Sequence, residues 1–256
     1  MFAVSDPHQG GFRRPVRLFD ADPDLLSDLH PSAARVVRET AVVESLVVEE
    51  GPWAPPSAEE LGPHPVGLLV LDGLLSRTIR FDDLESPALA GTGDVLRPWQ
   101  EHESVASLEF AAEWRVLEPA TLAVLDGRFA RRIAHVPGVI AALLGRTVER
   151  SWWLSFQLAI AHVRRTEPRV LMLLWHLADR WGRVTPAGTV VPLRLTHATI
   201  ADLVCMRRPT VSATLARLAR AGEVVRNGDG TWTLTGAPPD LSTITRRRAG
   251  GRLPAA

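Results

Sequence analysis

The sequence predicts an α+β chain: a β-rich N-terminal half, then a long apolar helix, then a small domain of helices closed by a β-hairpin. Three observations predict it. Short β-prone runs broken by Gly, Pro and Asp fill residues 41–125. After Asp126 the apolar period switches from two residues to nearly four. Two helical segments with a tight turn between them precede Asn227–Gly228–Asp229–Gly230, a turn signal set between two β-prone runs. A chain of 256 residues has room for two domains.

Taken in order, residues 1–20 read as irregular, and Asp24–Thr40 as a helix with Leu25, Leu29, Val36 and Val37 on its apolar side. Ala41–Val48 is a strand. Gly51–Pro65 holds five prolines and reads as loop. Val66–Leu71 and Leu74–Phe81 flank Asp72–Gly73, which predicts a hairpin. Gly91–Thr92–Gly93–Asp94 is a tight turn. Val105–Phe110 and Trp114–Leu117 are strands, with a turn at Glu118–Pro119 before Thr121–Leu125. This texture suits a β sandwich or barrel.

Asp126 caps a short helix that runs to about His135. The long helix follows Pro137, from Gly138 to Arg164. Its apolar positions, among them Leu144, Val148, Trp152, Phe156 and Ala159, cover more than one face. That pattern suits a helix held between its own β domain and a second copy, or one buried within a single chain. Arg169–Trp181 is a further helix ending at Gly182, and Thr189–Leu193 a short strand.

Thr196 N-caps a short helix with Ile200, Leu203 and Val204 on its apolar face. Cys205–Met206 forms the turn, with Cys205 expected to pack as a small buried residue. Pro209 lies in the first turn of the next helix, where its missing N–H costs nothing. Val211, Leu215 and Leu218 make its buried stripe, and Gly222 ends it. Two such helices form a helix-turn-helix, whose second helix enters the major groove of DNA. The residues expected to meet DNA are Thr196, Arg207, Arg208, Pro209, Thr210, Ser212, Ala213, Thr214 and Arg217. Arg pairs in two-pronged fashion with guanine, while Thr and Ser hydroxyls reach phosphates. The hairpin Val224–Arg226 and Thr231–Leu234 is the wing, with Arg226 placed for phosphate.

Charge agrees with this division. All 29 basic residues are Arg, and the net formal charge is zero. Residues 1–150 carry 14 Arg against 23 acids, whereas residues 192–256 carry 10 against 4. A basic C-terminal segment on an acidic body suits a tethered nucleic-acid reader. Arg246–Arg247–Arg248 supplies half of that excess.

Other chemistry is poorly represented. The single Cys205 excludes an internal disulfide. The eight histidines form neither an HxH nor an HxxxH pair, so no metal ligand set is assigned; His102 between Glu101 and Glu103 reads as a charged loop, and His162 as an interface residue. No nucleophile elbow, paired-carboxylate site or Gly-rich phosphate loop occurs, so no catalytic residue is assigned. No run is apolar enough to span a bilayer and no signal pattern opens the chain, so the expected address is the cytoplasm.

The run Leu195–Val204, followed by Arg208–Pro209–Thr210–Val211–Ser212–Ala213–Thr214–Leu215, resembles the Crp/Fnr family of bacterial transcription regulators. The order of segments before it is similar too, from about Leu46 to Leu234. The resemblance implies an N-terminal double-stranded β-roll of the cyclic-nucleotide-binding kind, a dimerisation helix and a winged helix-turn-helix. The expected divisions are residues 1–136, 137–166 and 167–256. It implies a homodimer on palindromic double-stranded DNA, with RNA polymerase among the partners.

In the family a recognition helix of the pattern Arg-Glu-Thr-Val-Gly-Arg reads bases with its two Arg and its Glu. Arg208 matches the first Arg, Pro209 replaces the Glu, and Ala213 replaces the second Arg. The cyclic-nucleotide pocket departs further. Leu96–Arg97–Pro98–Trp99 stands where Phe-Gly-Glu-Leu is expected, and Phe110–Ala111–Ala112 where Arg-Ser-Ala is expected. Phe and Ala cannot pair a phosphate, so cyclic AMP is not expected to bind in the family's manner. Arg97, Trp99, Phe110 and Arg115 are the candidate lining for an unknown small-molecule effector. The alternative reading is a ligand- or protein-binding sensor that has lost sequence-specific DNA binding.

Overall fold

A computed structural model describes residues 12–82, 84–100 and 109–239. The Arg246–Arg248 tail, His102 with its two glutamates, and most of the expected Val105–Phe110 strand lie outside the described residues. The chain divides into two compact units, Met1–Trp153 and Leu154–Ala256.

The first unit is built on an antiparallel sheet. Its strands are β1 (Phe12–Arg17), β2 (Val42–Val48), β3 (Gly51–Trp53), β4 (Gly67–Phe81), β5 (Leu84–Gly91), β6 (Val95–Leu96) and β7 (Ala111–Leu125). They run in the order β1-β2-β7-β4-β5, with β3 added to β7 and β6 to β4. Successive side chains on a strand point to opposite faces, and here both faces are buried. Leu68, Val70, Leu122 and Val124 enter an inner core with Trp53, Trp99 and Trp114. Their neighbours Leu69, Ala123 and Leu125 enter an outer core beneath helices. Two-sided burial is why Val66–Leu71 reads as an unbroken apolar run.

Two expected turns are not turns. Asp72–Gly73 lies within the single strand β4, and Glu118–Pro119 within β7. The two strands pair along their length, with register shifts between Val70 and Leu75. Gly73 has φ +93°, and a Cβ there would lie 2.4 Å from the Pro119 carbonyl oxygen. A glycine at positive φ serves a bulge as well as a turn, and proline is tolerated there because the ladder is already interrupted. The hairpin instead closes at Phe81 opposite Leu84, beside Asp82 at φ +49°, a conformation that Asp tolerates.

The helices of this unit are α1 (Leu18–Ala21), α2 (Pro31–Thr40), α3 (Gly127–Ile133) and α4 (Pro137–Ala161), the last ending in the second unit. Residues 12–20 are ordered as β1 and the start of α1, not irregular: β1 pairs with all but the last position of β2, and Leu18 and Phe19 are fully buried. The expected helix Asp24–Thr40 is split into a 3-10 turn, Pro23–Leu26, and α2, because Pro31 has no N–H to continue a helix from Ser27. Asp126 caps α3 as expected, its Oδ1 accepting the Phe129 N–H at 2.8 Å.

The second unit holds the end of α4, then α5 (Thr166–Trp181), α6 (His197–Leu203), α7 (Arg208–Arg220) and a four-stranded sheet. That sheet is β8 (Arg183–Thr185), β9 (Gly188–Val191), β10 (Val224–Arg226) and β11 (Trp232–Leu234), ordered β10-β11-β9-β8. β8 has no expected counterpart, because three residues are too few to show alternation. No helix among the described residues is long and apolar enough to cross a membrane.

Candidate nucleic-acid interface

The Thr196 hydroxyl accepts the Thr199 N–H at 3.1 Å, which starts α6. Ile200, Ala201 and Leu203 are buried. Cys205 turns the chain at φ +52° and is exposed, not buried as expected. A residue at the outer corner of a tight turn has nothing to pack against. The Met206 N–H reaches back to the Ala201 carbonyl at 2.9 Å and closes the turn.

Helix α7 starts with Pro209 in its first turn. Val211, Thr214, Leu215 and Leu218 face inward, spaced at one helical face. Arg207, Arg208, Pro209, Thr210 and Ala213 are exposed. Two expected DNA contacts are turned elsewhere. Thr214 is fully buried, and its hydroxyl donates to the Thr210 carbonyl at 2.8 Å. It sits one turn from Val211 on the core side, so it faces away from a groove. Arg217 bonds Glu167 on α5 at 2.5 Å and also reaches Thr166 and Thr214. It pins the recognition helix to its support.

The wing is set beside this helix. Trp232 is buried, its indole N–H donating to the Leu195 carbonyl at 3.3 Å. Arg226 lies opposite Trp232 in the hairpin, its guanidinium 5.7 Å from the ring centre. Asn227 ties the turn through Thr231 and Thr233. Hydrogen bonds from Thr231 hold the Asp229 carboxyl below the usual carboxylate range. Arg207 and Arg208 at the start of α7 and Arg226 on the wing are all exposed.

The long helix α4 presents two sides. Val139, Leu143, Trp153 and Ile160 are buried. Arg146 pairs with Asp22, one bond at 2.7 Å. Arg150 pairs with the fully buried Asp94 at 2.8 Å. Asp94 also accepts the Gly91 N–H at 2.9 Å, so it closes the Gly91–Asp94 turn. On the other side Leu144 is 63% and Trp152 74% exposed, with Val148 and Phe156 about half exposed. Ala159 is exposed as well. His162 lies just past the helix and is exposed.

A cavity of about 370 Å³ opens in the first unit, lined by Arg77, Ile79, Leu96, Arg97, Phe110 and Arg150 among others. Arg97 and Phe110 were expected there. Trp99 is instead part of the inner core, with the Arg97 guanidinium 5.7 Å from its ring. Arg115 is exposed: on β7 Trp114 and Val116 point inward, so Arg115 points outward. Arg77 and Arg150 take its place. Arg77 lies opposite Trp114 and in phase with inward Leu75. Arg150 continues the inward spacing of Val139, Leu143 and Arg146. Both signals are present in the sequence once β4 is read as one strand and α4 as one inward stripe.

Residues 168–235 match the Crp-like helix-turn-helix domain. The fold is shared with solved Crp/Fnr regulators. Residues 168–235 thus form a Crp-like helix-turn-helix domain, on a fold that the chain shares with those regulators. A CooA variant from Carboxydothermus hydrogenoformans aligns with 88% of this chain and 94% of its own, at 20% identity and TM-score 0.55. A CRP-family transcriptional regulator from Thermus thermophilus aligns over 83% and 99%, at 19% identity and TM-score 0.52. A cyclic nucleotide-binding domain containing protein from Listeria monocytogenes aligns over 85% and 97%, at 14% identity and TM-score 0.60. Identities this low establish fold. No curated protein matches the sequence.

Arg208, Pro209 and Ala213, the positions expected from the resemblance to meet bases, are all exposed on α7. Only Arg208 carries hydrogen-bonding capacity. Pro209 and Ala213 offer apolar contact of the sort that suits a thymine methyl.

Proposed function

We propose that this protein is a transcription regulator that binds a palindromic operator in double-stranded DNA as a homodimer, without cyclic AMP. The observation that carries the reading is the exposed N-terminal half of α7, with Arg207, Arg208, Thr210 and Ala213 outward and Arg226 of the wing beside them. Arg208 is the base reader. Thr196, Arg207, Thr210 and Arg226 hold phosphates, and Ser212 is half-buried at the edge of that set.

The dimer reading rests on the outward stripe of α4. Leu144, Val148, Trp152, Phe156 and Ala159 recur at helical spacing on one helix, and their apolar surface faces solvent. Hiding a Leu- or Phe-sized side chain contributes about 1.5–3 kcal/mol. A second α4 laid along this stripe covers it, so residues 137–166 serve as the dimerisation segment between a domain of residues 1–136 and one of 167–256. Two-fold symmetry then sets two α7 helices into successive major grooves, about 34 Å apart.

The effector is a small molecule of different chemistry from cyclic AMP. The cations that face the cavity are Arg77, Arg97 and Arg150; Arg97 lies in the run that replaces Phe-Gly-Glu-Leu, and Arg77 and Arg150 come from outside both runs expected to hold a cyclic phosphate. RNA polymerase is the further partner that such a regulator engages, in the cytoplasm, and the protein has no catalytic role. A titration of mixed-sequence duplex against salt tests the reading. Affinity falls linearly on log–log axes, as neutralised phosphates release their counterions. An affinity unaffected by salt, or no binding at low salt, contradicts it.

A further inference from the structure

His197 opens α6, directly after the Thr196 cap. Its ring touches both other parts of the DNA-reading head. Nδ1 lies 3.0 Å from the Ser212 hydroxyl on α7. The ring centre lies 5.9 Å from that of Trp232 on β11, tilted by 36°. Trp232 in turn carries the Arg226 guanidinium 5.7 Å from its ring. One half-buried imidazole therefore joins the recognition helix to the wing.

The charged groups that act on the ring are cations from each flank, Arg226 on β10 and Arg208 on α7; Trp232 and Ser212 are uncharged. Burial of the ring, then Arg226, then Arg208 push its proton affinity below the ordinary histidine value, so in the free protein the ring takes up its proton only at lower pH than an ordinary histidine. The same two arginines are those proposed to meet DNA. A phosphate on Arg226 and the acceptor edge of a guanine on Arg208 offset the two charges that, after burial, keep the proton away.

We propose that His197 is the positioning residue that sets the recognition helix against the wing, and that it takes up a proton when DNA binds. Its Ser212 contact survives the change. A neutral ring either accepts from or donates to the Ser212 hydroxyl, whereas a protonated ring donates from Nδ1 and Ser212 accepts. The added positive charge faces the phosphates and strengthens the complex. The sign follows from linkage: His197 titrates at a higher pH in the complex than in the free protein. Affinity therefore rises as pH falls through the bound value and levels off below the free one. The limit is about tenfold per pH unit for each proton taken up. This inference rests on the DNA-binding reading above.

The test is the affinity of the full-length protein for a mixed-sequence DNA duplex from about pH 8 to about pH 6 at fixed salt, the range in which histidine titrates. His197→Asn is measured alongside, because an Asn side chain can still reach Ser212 without titrating. The wild type is expected to gain several-fold in affinity across the range, while His197→Asn, at whatever level it binds, shows no such gain as pH falls. An equal slope in both proteins overturns this proposal and leaves DNA binding intact. No binding by the wild type at any pH overturns both. If His197→Asn does not fold, the ring resonance of His197 in the wild type decides. A midpoint higher in the complex than in the free protein supports the proposal, and equal midpoints overturn it.

Discussion

Arg208 and Arg217 stand on one helix with one charge, and their surroundings give them different work. Arg217 is held by Glu167 and Thr166 on the supporting helix; Arg208 is exposed at the helix start. Arg208→Ala is expected to lose about 1–3 kcal/mol of discrimination at one base position, read as competition between duplexes that differ there. If the mutant discriminates like the wild type, Arg208 is not the reader. Arg226→Ala should weaken all sequences alike and lower the salt slope by roughly one per protomer. A quite different cost is expected at Arg150. Its removal strands the buried Asp94 carboxylate without that partner, and Arg150→Ala should destabilise the first unit by about 3 kcal/mol or more. Urea unfolding measures this as an earlier midpoint; an unchanged midpoint shows that the pair is dispensable.

Elements differ in how far they announce themselves. The winged domain is legible because its signals are local: Thr196 caps α6, Pro209 starts α7, a single apolar stripe runs down α7, and glycines turn the wing. Each lies within a few residues of what it specifies. The β domain hides more, because its irregularities are set across strands. Asp72–Gly73 reads as a turn until the Pro119 carbonyl is placed opposite it. Reading β4 as two pieces also removes Arg77 from view, and with it half of the cavity's new cations. The outward face of α4 is legible as too much apolar surface, and its exposure in the structure locates that surface at Leu144 and Trp152. Charge placed there should be decisive: Leu144→Glu with Trp152→Glu is expected to convert a dimer to a folded monomer in sedimentation, with DNA affinity falling sharply. A variant that stays dimeric puts the interface elsewhere.

At the scale of the whole molecule, an acidic first half is joined to a basic last segment, a distribution that suits the DNA partner proposed above. The cavity in the first unit is lined by Arg77, Arg97 and Arg150, and on the proposed reading it does not take cyclic AMP. Calorimetry with cyclic AMP is expected to show no saturable heat. On the proposed reading, two copies of this chain read a symmetric DNA sequence. Selection from a random duplex pool, with purified protein, fixed salt and no added ligand, tests it most directly. A palindrome whose half-sites lie one helical turn apart is expected to be enriched, with a guanine at the position that Arg208→Ala relaxes. A pool that stays random after repeated rounds, from protein shown to be dimeric and folded, contradicts it.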